Sequence, residues 1–236
     1  MKKIKTNFSG LDEILDGGIP QGHNILLSGS SGTGKTIMAM EFLFNGAKAG
    51  ETVLYMAFSE PRDKILANLE GFSFFNKSLI DSGKVKIIDI TQDARLKGLE
   101  MQNVDGMITM FRDLISDSGA KRVVLDSITS LASNLGSEKN IRDFIFGLGL
   151  QLSYMDCTII MISEIPPQTF IYSTHGVEEF IADGVILITE FERKGDLIRA
   201  LQVIKMRGVN HSRNKHVLKI TSDGVKLIPM LKAGIE

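Results

Sequence analysis

The protein is a chain of 236 residues in which 27 Lys and Arg stand against 28 Asp and Glu, for a formal net charge of −1. This balance argues against a constitutively basic protein that coats nucleic acid. The apolar share of 43% and the charged share of 23% are typical of a folded globular chain. No apolar run approaches the roughly 20 residues of a membrane span, and no apolar segment follows the basic start, so we expect neither a membrane helix nor a signal peptide.

The chain carries a single cysteine, Cys157. It therefore forms no internal disulfide and no multi-cysteine metal site, which suits a reducing cytoplasm. The four histidines include no His-Glu-x-x-His pattern, so a zinc enzyme is not expected. We expect a cytoplasmic protein in which Cys157 is buried and inert.

Short apolar segments alternate with amphipathic ones along most of the chain, which is typical of a parallel sheet covered on both faces by helices. The pattern changes after residue 184, where turn-like segments at 193–196 and 222–224 predict two hairpins. We therefore expect an α/β fold over residues 1–236 as a single domain, with antiparallel C-terminal hairpins. The predicted strands are 25–28, 52–58, 84–89, 122–126, 158–163, 184–189, 197–206, 216–220 and 225–228. The predicted helices are 36–49, 62–70, 105–117 and 140–155.

A complete phosphate-binding motif lies between the first of these strands and the first helix. Residues 29–36, Gly-Ser-Ser-Gly-Thr-Gly-Lys-Thr, match G-x-x-x-x-G-K-[ST]. Glycines let the backbone turn several N–H groups toward phosphate oxygens, and the helix N-terminus adds partial positive charge. Lys35 should contact the β- and γ-phosphates, and Thr36 should place its hydroxyl on Mg²⁺. The residues predicted here to bind nucleotide are Ser31, Gly32, Thr33, Gly34, Lys35, Thr36 and Ile37.

Acidic residues end three of the predicted strands. Asp126 closes Val-Val-Leu-Asp at 123–126 and is predicted to orient Mg²⁺ together with Thr36. Ser127 after it could be a neighbouring hydroxyl or could cap a turn. Glu60 follows the strand at 52–58 and is the candidate base for activating water, although an acid before a helix is also favoured by the helix dipole. Glu164 could sense the γ-phosphate or could be an ordinary loop acid.

Three further segments resemble those of the KaiC-like branch of the RecA superfamily, in the expected order around one phosphate loop. Residues 8–22, Phe-Ser-Gly-Leu-Asp-Glu-Ile-Leu-Asp-Gly-Gly-Ile-Pro-Gln-Gly, are similar to the family's opening segment. Residues 176–184 are similar to its Gly-Val-Glu-Glu-Phe segment, and residues 205–211 to its Lys-x-Arg-Gly-x-x-His segment. The resemblance covers essentially the whole chain and corresponds to one KaiC-type domain.

This resemblance implies a RecA-like ATPase core that assembles as a homo-oligomeric ring, commonly a hexamer, with ATP and Mg²⁺ between subunits. In that arrangement Lys205, Arg207 and His211 would contact the neighbour's nucleotide. A cation supplied from the neighbour stabilises the charge that develops at the γ-phosphate. The spacing of two between Lys205 and Arg207 predicts that both lie on one face of a strand.

Two departures from the family pattern limit what the resemblance implies. The family usually carries paired glutamates after the second strand, whereas this chain has Ser59-Glu60, so one carboxylate is missing. If the first of the pair is the stronger base, hydrolysis is expected to be slow. The positions of a Ser-Thr pair that some relatives autophosphorylate appear here as Glu179-Phe180. Neither side chain forms a stable phosphate ester, so we expect no autokinase activity there.

Three functions remain open from the sequence. The first is a nucleotide-dependent signalling or regulatory ATPase that acts through its ring on an unidentified protein partner. The second is a recombination accessory protein that binds single-stranded DNA, for which the basic segment 211–216 is the support. The loop 165–175 carries aromatic residues but no Lys or Arg, which weakens this reading. The third is a nucleotide-binding scaffold with little turnover.

Overall fold

The structure is a computed structural model that describes residues 1–90, 92, 103–132, 135–169 and 171–230. The described strands are β1 (Lys3–Ile4), β2 (Ile19–Pro20), β3 (Asn24–Gly29), β4 (Val53–Ala57), β5 (Val85–Asp89), β6 (Arg122–Asp126), β7 (Thr158–Glu164), β8 (Gly184–Arg193), β9 (Asp196–Met206), β10 (His216–Thr221) and β11 (Gly224–Pro229). The described helices are α1 (Leu11–Ile14), α2 (Lys35–Lys48), α3 (Arg62–Leu69), α4 (Lys77–Asp81), α5 (Val104–Ser118), α6 (Ile128–Ala132), α7 (Glu138–Ser153) and α8 (Glu178–Ile181).

A nine-stranded sheet in the order β11-β10-β9-β8-β3-β7-β6-β4-β5 organises the described residues. Six neighbouring strands of this sheet are parallel, namely β8, β3, β7, β6, β4 and β5. Strands β9, β10 and β11 continue the sheet beyond β8 in antiparallel pairs. One core, containing Phe42 and Phe44 of α2, covers one face. A second core, containing Phe111 of α5 and Phe144 of α7, covers the other. The predicted α/β architecture is confirmed.

The turn between β8 and β9 sets the register of the C-terminal hairpin. Lys194 and Gly195 have φ of 55° and 84°, and Arg193 pairs with Asp196 across the two-residue loop. Positive φ at both central residues matches the right-handed twist of antiparallel strands, which explains Lys-Gly at this turn. The first predicted hairpin is therefore confirmed, and β10 with β11 forms the second.

Strand direction decides which side chains can meet. Because β3, β4, β6 and β7 are parallel, the residues that follow them gather at the carboxyl edge of the sheet. Strand β9 runs the other way, and its last residue, Met206, pairs with Gly184, which itself pairs with Ile25 at the start of β3. The end of β9 therefore lies at the amino edge, roughly 13 Å of strand from Gly29.

Two residue groups with no catalytic prediction are part of the core. Phe74 is buried, and its ring lies 5.1 Å from that of Phe72, while the Phe75 ring lies 5.6 Å from that of Phe44. Cys157 is buried, and this burial raises the pKa of its thiol to about 12, so the thiol stays protonated and unreactive.

Across the described ranges, the helices lack the length and the apolar character that crossing a membrane requires.

A buried carboxylate joins the C-terminal hairpin to helix α2. Glu41 is 6% exposed and accepts a hydrogen bond of 2.8 Å from the backbone N–H of Val225. Burial raises its pKa to about 7, although the Val225 bond and nearby Lys48 act in the opposite direction. The folded protein therefore holds a proton at Glu41 more tightly than the unfolded chain, whose reference pKa is 4.5.

This proton predicts a pH dependence of stability. The contribution of neutral Glu41 is fully present below pH 4.5 and is lost as the pH rises to about 7. Glu41→Gln keeps an acceptor for Val225 and carries no charge, so we expect it to stabilise the fold by about 2 kcal/mol at pH 8 and by little at pH 4.5. Urea unfolding at several pH values measures this, with Glu70→Gln, an exposed site, as the control. Equal effects of Glu41→Gln at both pH values would contradict the prediction.

Candidate functional site

The phosphate-binding loop joins β3 to α2 at the carboxyl edge of the sheet. Gly32 and Gly34 have φ of 82° and 96°, which L side chains rarely adopt. A Cβ on Gly29 would lie 2.7 Å from the carbonyl oxygen of Ile188, so only glycine fits against β8. The loop is therefore a tight backbone turn of the kind that directs N–H groups at an anion.

The side chain of Lys35 lies inside this loop. Its Nζ donates hydrogen bonds to the carbonyl oxygens of Gly29 at 2.9 Å and of Ser30 at 2.8 Å, and the residue is 5% exposed. Burial lowers the pKa of Lys35, while Glu164 is the largest of the opposing charges. A nearly buried cation that donates to two backbone carbonyls is suited to a phosphate, whose oxygens can replace the two carbonyls as acceptors.

The other predicted loop residues divide into exposed and buried ones. Ser31 and Gly32 are exposed, whereas Thr33 is buried and its Oγ1 donates to the carbonyl of Ser30 at 2.8 Å. Ile37 is half-buried and packs against the core. The exposed pair leaves the mouth of the loop open, while Thr33 and Ile37 hold its base in place.

Asp126 and Thr36, the two residues predicted to hold Mg²⁺, lie in contact with each other. The Asp126 Oδ2 accepts hydrogen bonds from Thr36 Oγ1 at 2.7 Å and from Tyr55 Oη at 2.5 Å. Burial raises the pKa of Asp126, and the two hydroxyl bonds oppose this rise. Mg²⁺ prefers hard oxygen ligands and keeps waters and phosphate oxygens among them, so a hydroxyl beside one carboxylate fits the ion when a triphosphate is present.

Tyr55 is a member of this site that sequence reasoning missed. It lies in β4 and was counted only among the apolar residues of the predicted strand 52–58. Burial raises its pKa, so the phenol stays protonated and donates to Asp126. A phenol in an otherwise apolar strand is the signal that could have pointed to it, because a buried tyrosine hydroxyl needs a partner.

Glu60 and Glu164 are both at the carboxyl edge. The Glu60 carboxylate lies 3.3 Å from Lys64 Nζ and accepts a bond of 3.3 Å from Asn68, and it is close enough to Tyr55 to affect its pKa. Its ion pair with Lys64 is largely exposed and so holds the carboxylate only weakly. Glu164 pairs in register with Gly29, and its charge favours the protonated form of Lys35.

Lys205 and Arg207 come together, but at the opposite edge of the sheet. Lys205 Nζ donates to the carbonyls of Glu179 at 3.0 Å and Ala182 at 2.6 Å. Arg207 contacts Asp183, with Nη1 at 3.0 Å from Oδ1. The prediction that both lie on one face of a strand is wrong, because β9 ends at Met206 and Arg207 is in the turn beyond it. They meet because both side chains bind the segment around α8.

His211 lies in the segment that leads from that turn back along the sheet toward β10. It is half-buried in the described segment that follows the turn, and its Nδ1 lies 3.2 Å from the carbonyl of Ser212. The carbonyl of Arg207 lies 3.2 Å from His23 Nε2, just before β3. Lys205 and Arg207 are therefore held at the amino edge, away from the phosphate loop of their own chain.

The comparisons with known proteins identify the family. A family model described as "ATPase: KaiC" matches residues 4–232. The chain belongs to the KaiC family. The crystal structure of a KaiC-like protein from Pyrococcus horikoshii OT3 superposes on this KaiC-family fold with a TM-score of 0.85 at 32% identity, covering 97% of this chain and 99% of that one.

Relatives of two lengths resemble this KaiC-family chain. A UPF0273 protein of Thermotoga maritima is 34% identical over 97% of both chains, and one of Pyrococcus horikoshii is 35% identical over 99% of this chain and 97% of its own. The circadian clock oscillator protein KaiC of Picosynechococcus is 34% identical over 98% of this chain. This chain spans only 45% of that clock protein's length, so it resembles one KaiC domain. The predicted resemblance is confirmed.

The Gly-Val-Glu-Glu-Phe segment of this KaiC-family chain has a structural role. Glu178 is fully buried, and its carboxylate accepts hydrogen bonds from the backbone N–H groups of His175 and Val177. The Glu179 carboxylate accepts from the hydroxyl of Ser173. These bonds fix the segment whose carbonyls accept from Lys205.

Ser127, which follows Asp126, caps a turn: its Oγ accepts from the N–H of Ser130 at 3.2 Å.

Proposed function

We propose that the protein binds ATP with Mg²⁺ and hydrolyses it at contacts between identical subunits of a ring, for which the family resemblance suggests six. The observation that carries this proposal is the separation of the site into two parts. The phosphate loop lies at one edge of the sheet, whereas Lys205 and Arg207 lie at the other, with His211 in the segment that follows them. A head-to-tail contact between copies brings unlike surfaces together, so it would unite the two parts, and it forms a ring when the rotation between copies closes.

Each part has its own task in this proposal. The backbone N–H groups of the loop and the N-terminus of α2 bind the phosphates, and Lys35 contacts the terminal ones. Thr36 and Asp126 would hold Mg²⁺, which when bound neutralises phosphate charge. Glu60 orients and deprotonates the attacking water.

The neighbouring subunit supplies the remaining groups. Arg207 presents a planar fork to phosphate oxygens, while Lys205 offers a compact charge, and both stabilise the charge that develops at the γ-phosphate. His211 contacts the nucleotide from the same side. To do so, Lys205 has to exchange its bonds with the carbonyls of Glu179 and Ala182 for phosphate oxygens.

Particle size tests this proposal most directly. Light scattering with and without MgATP, beside a hydrolysis assay, is expected to show a ring in the presence of nucleotide together with measurable turnover. A monomer under both conditions would remove the proposed roles of Lys205, Arg207 and His211. A ring that binds ATP without turnover would favour the nucleotide-binding scaffold.

Glu60→Gln is expected to lower the hydrolysis rate by about 10²-fold while leaving the ATP affinity within about 3-fold, because a general base acts in the reaction rather than in binding. Steady-state hydrolysis and calorimetric binding measure the two effects. Glu70→Gln, an exposed site just after α3, is the matched control and should behave as wild type. An unchanged rate in Glu60→Gln would show that another group activates the water.

We propose that ATP binding and hydrolysis serve a signalling or regulatory role through a protein partner. Single-stranded DNA is the weaker alternative. The described residues of the loop 165–175 include the exposed Tyr172, whose ring suits stacking, but the sequence of the loop supplies no Lys or Arg for phosphates. Fluorescence anisotropy with labelled single strands at low and high salt separates the two, since phosphate-driven binding falls steeply with salt.

A further inference from the structure

A side chain from the C-terminal hairpin touches the phosphate loop of its own chain. Arg199, in β9, donates a hydrogen bond from Nη2 to the carbonyl oxygen of Gly32 at 3.2 Å. Its Nε lies 3.5 Å from the Glu190 carboxylate on β8, directly across the hairpin. That Nε is buried and makes no hydrogen bond among the described residues. Arg199 therefore contacts the phosphate loop although it lies in β9, outside the sequence motif at 29–36.

The contact determines the orientation of one peptide group. The C=O of Gly32 and the N–H of Thr33 belong to the same trans peptide and point in opposite directions. Arg199 holds the C=O on the outside of the loop. The N–H of Thr33 points inward, where it donates a hydrogen bond of 3.4 Å to the Ser30 carbonyl, which also accepts from Lys35 Nζ. The inward side is therefore the side on which Lys35 lies.

Phosphate binding requires this orientation. An N–H directed into the loop attracts a phosphate oxygen, whereas a carbonyl directed inward would repel it. Gly32 has no Cβ and tolerates several backbone conformations, so steric restraints at Gly32 do little to prevent rotation of the Gly32–Thr33 peptide. An external donor to the Gly32 carbonyl supplies the restraint that glycine lacks.

We propose that Arg199 is a positioning residue that holds the Gly32–Thr33 peptide with its N–H turned inward, ready for the phosphates of a bound nucleotide. The proposal rests on the proposed nucleotide binding. Glu190, whose side chain is 22% exposed, keeps the guanidinium beside the loop through the ion pair. In this role Arg199 acts through the backbone and on a phosphate that ATP and ADP share.

The test measures the dissociation constants of MgATP and MgADP by calorimetry. Arg199→Met is expected to weaken both nucleotides by about 10-fold, because a charge-assisted hydrogen bond to the loop is lost. Arg199→Lys, which can still donate to the Gly32 carbonyl, is expected to recover affinity to within about 3-fold of wild type. Arg193→Met removes the same charge from an exposed position at the same end of the hairpin and is the matched control, expected within about 2-fold.

The outcomes separate the possible roles. Weakening of both nucleotides in Arg199→Met, with an unchanged unfolding temperature in the absence of nucleotide, supports positioning. Weakening of ATP alone would overturn the proposal, since Arg199 would then contact the terminal phosphate directly. Unchanged affinity for both would also overturn it. If Arg199→Met does not fold, the affinities of Arg199→Lys and Glu190→Ala for the two nucleotides are compared instead. Arg199→Lys keeps a donor to the Gly32 carbonyl, whereas Glu190→Ala removes the ion pair that keeps the guanidinium beside the loop. Affinity of Arg199→Lys no higher than that of Glu190→Ala would overturn the proposal. If wild type itself binds neither nucleotide, the proposed function fails instead.

Discussion

Lys35→Met is expected to weaken MgATP binding by roughly 100-fold and to abolish hydrolysis, because the variant loses the one charge that lies within the loop beside the phosphates. The Lys35 Nζ already lies among backbone carbonyls of Gly29 and Ser30, where it has only to change acceptors when phosphate binds. Methionine keeps most of the side chain's volume and so limits the loss of packing. Calorimetry and a phosphate-release assay measure the two effects.

Lys48→Met is the matched control for this variant. Lys48 lies in the last turn of the same helix, is exposed, and carries the same charge. We expect it to bind and hydrolyse ATP as wild type does. Retention of full ATP affinity in Lys35→Met would contradict the assignment of the loop as the nucleotide site.

Arg207→Ala is expected to lower the hydrolysis rate by about 10³-fold with little change in stability, because an arginine supplied from a neighbour acts mainly on the transition state. Its ion pair with Asp183 is largely exposed on the arginine side, at 56%, so its loss costs the fold little. The rate at saturating ATP and the unfolding temperature measure the two effects.

Mixing the two inactive variants tests whether Arg207 acts on the neighbour's nucleotide. An Arg207→Ala subunit keeps its phosphate loop, and a Lys35→Met subunit keeps its arginine. When the two are combined before MgATP is added, roughly a quarter of the contacts in a randomly mixed ring join the intact loop to the intact arginine. We expect hydrolysis to reappear in the mixture. An inactive mixture of subunits that do form rings would show that Arg207 does not act across the contact.

Local sequence patterns were sufficient to predict the phosphate loop and its flanking elements. The motif at 29–36, the buried strand before it and the helix after it are all present. Thr36 and Asp126 were each predicted to serve Mg²⁺, and the structure brings them into contact because an acid at the end of a parallel strand lies at the same edge as the loop. These features depend on short-range chemistry, namely glycine conformations, strand ends and helix starts.

The register of the hairpin was nearly readable as well. The two-residue turn at Lys194-Gly195 places Glu190 opposite Arg199, so their ion pair follows from counting back along the two strands. That Arg199 also touches Gly32 does not follow from counting. This contact exists because β8 lies beside β3 in the sheet, a neighbour relation between strands far apart in the chain.

The sequence by itself determined the chemistry of this protein: a loop suited to phosphates, a hydroxyl and a carboxylate suited to Mg²⁺, and the alternation of strands and helices that presents them. Only the tertiary structure decided the placement. It brought Tyr55 into a hydrogen bond with Asp126 and Arg199 into one with the phosphate loop. It also placed Lys205 and Arg207 at the opposite edge of the sheet. The physical reason is that strand order and strand direction are set by long-range packing of the two cores, whereas a motif records only neighbours along the chain.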